Sequence, residues 1–96
     1  MKIRQVAERD STNVYAQMTL GEASIASGQL DRAIERFKKV IQLQPNNVEA
    51  LLSLADVYER KEEKKGAAVY YQRSLPLIQI PALKKEVEKR VAELIK

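Results

Sequence analysis

The chain of 96 residues contains no cysteine, no histidine and no tryptophan, and only 5% of it is aromatic. Without cysteine there is neither a disulfide framework nor a thiol nucleophile. Without cysteine and histidine together, transition-metal sites and the commonest acid/base pairs and triads lose their usual members, so neither an enzyme nor a metal or cofactor is expected. Few aromatics leave little on which nucleobases could stack. The 17 Lys and Arg against 13 Asp and Glu give a net charge of +4 with the signs interspersed, which reads as a solvated surface, and nucleic acid is not an expected partner. No apolar run approaches the roughly 20 residues of a membrane span, and the charges scattered through residues 1–10 do not suit a signal peptide. A soluble, cytoplasmic chain of modest stability is expected, whether whole or part of a longer protein.

What is present is a repeat. The stretch Val14 to Asn47 is followed by a second copy, Val48 to Pro81, at a shift of 34 residues. The shift sets Ala16 on Ala50, Met18 on Leu52, Leu20 on Leu54, Glu22 on Asp56, Ala33 on Ala67, Phe37 on Tyr71 and Ile41 on Leu75. Size and chemical type survive at spaced positions while the letters between them drift, and a period of 34 belongs to solenoids of helix pairs.

Residues 1–13 hold Ile3, Val6 and Ala7 at helical spacing, the second helix of an incomplete preceding unit, closed by the capping cluster Asp10, Ser11, Thr12 and Asn13. In 14–47 a first helix runs from Val14 to Ser27 and stops at Gly28. Asp31 is expected to cap a second helix from about Arg32 to Leu43, whose stripe is Ala33, Phe37, Val40 and Ile41; Pro45 ends it. In 48–81 the plan recurs, with helices over about 48–60 and 65–75 and Leu51, Leu54, Tyr58, Ala67, Tyr71 and Leu75 inward. Its turn, Lys61 to Lys64, consists of helix formers, so fusion of the two helices into one, with exchange between chains, is an alternative. In 82–96 a last amphipathic helix, with Leu83, Val87, Val91, Leu94 and Ile95 on its apolar side, is expected to cap the array.

On Leu20 with Gly21, Ala33, Phe37 and Pro45 in the first unit, and Leu54, Tyr58, Ala67 and Tyr71 in the second, the chain resembles the tetratricopeptide repeat family. Departures are Gln17 and Leu51 where tryptophan is common, Ser24 for a tyrosine, Ala55 for glycine, and no proline at the family's position in the second copy. The resemblance implies an all-α fold of antiparallel helix-turn-helix repeats in a right-handed superhelix. It also implies a protein-interaction module whose first helices line a concave groove that holds a peptide or helix of another protein.

Carried over by position, the groove residues are Tyr15, Met18, Glu22 and Ile25 from the first unit and Glu49, Leu52, Asp56, Glu59 and Arg60 from the second. The set mixes apolar contact with acid, so the expected partner is an apolar segment flanked by Lys or Arg. Some family members clamp a chaperone's terminal carboxylate with basic and amide side chains. The matching positions here are Met18, Glu22 and Ser53, which argues against that ligand. Self-association by stacking or swapping into a homodimer is the alternative, since two full units fall below the three that repeat arrays generally need.

Overall fold

The structure, a computed structural model, describes residues 13–96. The expected preceding helix, apart from Asn13, lies outside the described residues. Five helices follow in order: α1 Val14–Ala26, α2 Leu30–Leu43, α3 Val48–Arg60, α4 Lys64–Ser74 and α5 Pro81–Leu94, with a 3-10 turn at Leu75–Leu77 before the last. Among the described residues the architecture is all-α, built as two packed antiparallel pairs, α1 with α2 and α3 with α4, and a closing helix on the second pair.

The repeat is visible in the hydrogen bonds that start each pair. Asn13 Oδ1 accepts from the Ala16 amide at 2.9 Å, and Asn47 Oδ1 accepts from the Ala50 amide at 3.0 Å. Each satisfies an amide that the first helical turn leaves without an intrahelical partner.

The turns inside the pairs match as well. In the first, the amides of Ser27, Gly28 and Gln29 donate to the carbonyls of Ala23, Ile25 and Ser24. In the second, Lys61, Glu62 and Glu63 donate to Val57, Glu59 and Tyr58, the same three bonds shifted by one repeat. This closure requires a left-handed residue, which is Gly28 at φ 78° in one turn and Glu62 at φ 61° in the other. The helix formers of Lys61–Lys64 therefore turn within the chain rather than fusing α3 to α4. Packing of the pair overrides local propensity.

Asp31 does not cap α2. The helix begins at Leu30 with Gln29 at the cap position and no side-chain cap, and Asp31 sits in the first turn, where its carboxylate instead pairs with Lys61. An acid in the first turn still faces the positive end of the helix dipole. The fourth helix starts at Lys64 and ends at Ser74, and the expected inward Leu75 begins the 3-10 turn, half-buried.

Two contiguous apolar cores result. Met18, Ala33, Ile34, Phe37 and Val40 of the first pair meet Ala50, Leu54 and Val57 of α3 in one. Ala55, Ala67, Tyr71 and Ile78 meet Val87 and Val91 of α5 in the other. Leu83 and Leu94 pack on this second core, but Ile95, expected on the same stripe, follows the end of α5 and is 64% exposed.

Gly21 lies against Phe37. A Cβ built on it would fall 2.6 Å from a carbon of that fully buried ring, closer than packed atoms tolerate. The second unit carries Ala55 and Tyr71 in the corresponding places, so there the crossing accommodates a methyl group.

Two outcomes follow from these positions. Glu62→Gly should raise stability by about 0.5–1 kcal/mol, because glycine takes the left-handed conformation without the side-chain penalty; an unchanged or lower midpoint in urea denaturation would contradict it. Gly21→Ala should lower stability, since overpacking costs about 1–3 kcal/mol and outweighs the better helix propensity of alanine. The same urea titration reads both.

Candidate peptide-binding face

The helices α1, α3 and α5 begin at residues 14, 48 and 81, so α5 stands where the first helix of a third unit would stand. The register that assigns Glu49, Leu52 and Asp56 to the groove therefore continues to Leu83, Glu86 and Arg90. The structure brings these together. Leu52 of α3, Tyr71 of α4 and Leu83, Glu86, Val87 and Arg90 of α5 line one open hollow of about 220 Å³. Leu83, Glu86, Val87 and Arg90 were absent from the expected site. The signal for them was present, because adding one period to 49, 52 and 56 gives 83, 86 and 90, but α5 reads from its charge as a cap alone.

The expected residues divide. Tyr15 is 72% exposed near the start of α1, and Glu22 and Glu49 are exposed, with no ion pair among the described residues. Met18, at 9% exposure, belongs to the first core with Ile34 and Phe37, and Ile25 packs against the same core. That core joins α1 to α2 and to α3. Leu52 is half-buried, one side on the second core and the other on the hollow. Asp56 and Arg60 pair with each other at 3.0 Å, one helical turn apart and both about half-exposed.

Glu59 serves the fold. Its Oε1 accepts from the Tyr71 hydroxyl at 2.6 Å and its Oε2 lies 3.4 Å from Arg90 Nη1, so one carboxylate ties α3 to α4 and α5. Burial pushes the Tyr71 phenol well above its ordinary range, and its bond to Glu59 pushes it further. Among the described residues, the acids of this face that remain outside such pairs are Glu22, Glu49 and Glu86. The face thus offers an apolar hollow and an exposed tyrosine amid carboxylates. It brings together no nucleophile and base, and among the described residues no cluster of acids is placed to hold a metal. No described helix is long and apolar enough to cross a membrane.

An all-α array of antiparallel helix pairs repeating every 34 residues defines a helical-repeat protein. Residues 21–62, from the middle of α1 through α3, match the family model for the TPR repeat, and this match supports assignment of the chain to the tetratricopeptide repeat family. No curated protein matches the chain. A TPR repeat suggests a protein–protein interaction module.

The Tyr71 phenol provides a spectroscopic check. Its folded-state pKa lies above the unfolded value of about 10, so the stability it contributes is complete below pH 10 and declines as pH rises beyond it. In an ultraviolet titration of the four tyrosines, one should ionise last, and Tyr71→Phe should abolish that lag; four tyrosines titrating together would refute the assignment.

Proposed function

We propose that the side of α1, α3 and α5 binds an apolar peptide or helix of another protein whose flanks carry Lys or Arg. The observation that carries this reading is the hollow between Leu52, Tyr71, Leu83 and Val87, an apolar floor with Glu86 at its rim. Glu49 lies one helical turn before Leu52 on α3, and Tyr15 and Glu22 extend the same register on α1. An aliphatic anchor fits the floor, and cations on either side of it meet the carboxylates of Glu22, Glu49 and Glu86, which form no ion pair among the described residues. Tyr15 supplies a large ring with few rotatable bonds, a contact that loses little entropy when ordered.

Self-association as a stacked or swapped dimer is the weaker reading. The outer face of α5 carries Lys84, Lys85, Glu88 and Lys89, all exposed, which suits the end of an array rather than a junction between copies.

Calorimetric titration with a Leu-centred peptide flanked by lysines, and with its glutamate-flanked counterpart, tests the reading at two salt concentrations. The basic peptide should bind more tightly, weaken with salt, and lose about tenfold in affinity against Leu52→Asn. Tighter binding of the acidic peptide would overturn it.

A further inference from the structure

The charges of the helix pairs are segregated by helix. The first helices, α1 and α3, carry Glu22, Glu49, Asp56 and Glu59 against Arg60 alone. The second helices, α2 and α4, carry Arg32, Arg36, Lys38, Lys39, Lys64, Lys65 and Arg73 against Asp31 and Glu35, and α4 has no acid at all. Asp31 is moreover paired with Lys61. In a chain with a net charge of only +4, the first helices of the two pairs are thus net acidic and the second helices net basic.

The basic side also has built-in order. Tyr58 of α3 and Tyr70 of α4 stack with centroids 5.5 Å apart and planes 10° from parallel. Lys38 Nζ lies 5.9 Å from the Tyr58 centroid and the Arg73 guanidinium carbon 5.3 Å from that of Tyr70. The stack therefore links α2 to α4 and holds a cation at each end. Gly66 permits it, since a Cβ there would meet the Tyr58 ring at 2.8 Å. Cations steadied over rings lose less side-chain entropy on meeting an anion than free lysines do.

We infer that the α2 and α4 side, centred on Lys38 and Arg73 and extended by Lys64 and Lys65, is a second docking surface, for an acidic protein segment rich in Asp and Glu. Three other occupants fit less well. Nucleobases need aromatic faces, and these two rings are already engaged with each other and with the cations. A membrane surface needs apolar side chains to insert, and the large exposed ones on α2 and α4 are Leu43 and Val69, one on each helix. A second copy would have to bring Glu22 and Glu49 against this side, and those acids lie on the first helices, whose face is assigned above to a different partner. The inference rests on separate residues from the groove reading, so either can fail alone.

The test uses the full chain, isotopically labelled, titrated in an NMR experiment with a twelve-residue Glu/Ser peptide, an oligouridylate of equal length and vesicles containing phosphatidylserine. The acidic peptide should perturb the amides around Lys38, Lys64, Lys65 and Arg73 and leave those of Tyr15, Leu52 and Leu83 in place. The double variant Lys38→Gln, Arg73→Gln should weaken it about tenfold, with unchanged helicity by circular dichroism and unchanged affinity for the lysine-flanked groove peptide. Four results would each overturn the proposal: perturbation confined to α1, α3 and α5; tighter binding of the oligouridylate or the vesicles; equal affinity in the double variant at preserved helicity; or signal broadening without peptide that light scattering assigns to self-association.

Discussion

Everything in this molecule depends on the burial of α3 from two directions. Ala50, Leu51, Leu54, Ala55 and Val57 are each no more than 1% exposed; Ala50, Leu54 and Val57 belong to the core shared with α1 and α2, and Ala55 to the core shared with α4 and α5. An amphipathic helix buries one stripe; this one buries residues on two sides and leaves only Glu49 and Arg60 exposed. The first pair meets the second chiefly at this wall, with Tyr70 of α4 packed on the first core and the Asp31–Lys61 pair beside it. Cooperativity between the units is therefore a property of α3, as nearest-neighbour coupling in repeat arrays requires.

That arrangement explains why large side chains recur at fixed positions while small ones recur opposite them. Phe37 occupies the space against Gly21, and Tyr71 shares the second core with Ala55. The tyrosine brings a hydroxyl into a half-buried site, which must find a partner, and Glu59 provides it. Glu59 in turn meets Arg90, so the exchange of phenylalanine for tyrosine between the two units is linked to the docking of α5. The first pair is joined to α3 by packing and by Lys38 over the Tyr58 ring; the second is joined to α5 by packing and the Glu59 bridge.

Much of this was legible in the sequence. The period, the four helices of the two units, the Asn and Gly punctuation and the inward stripes all follow from spacing, because one face of each helix is decided by burial. Less was legible where a residue's role is set by a partner far along the chain. Asp31 has the chemistry of a cap, yet Lys61, thirty residues on, claims it. Met18 holds a groove position in the repeat register, yet α1 is packed closely enough that its side chain enters the core. Glu59 looks like one more surface acid until Tyr71 and Arg90 are placed beside it.

The treatment of α5 shows how a correct local reading can hide a functional one. Its charged outer face suits a cap, and it covers the open side of the second pair. A capping helix that occupies the place of the next first helix, however, also adds to the surface that first helices present. Leu83 and Val87 thereby complete an apolar floor that Leu52 alone could not make, and Glu86 and Arg90 set its rim. The termination of the array and the formation of its hollow are thus the same structural event. A charge reversal on the outer face of α5 would alter solubility, whereas a change at Leu83 would alter both the second core and the hollow. Folding and recognition are coupled there as they are not at Tyr15, which stands clear of both cores.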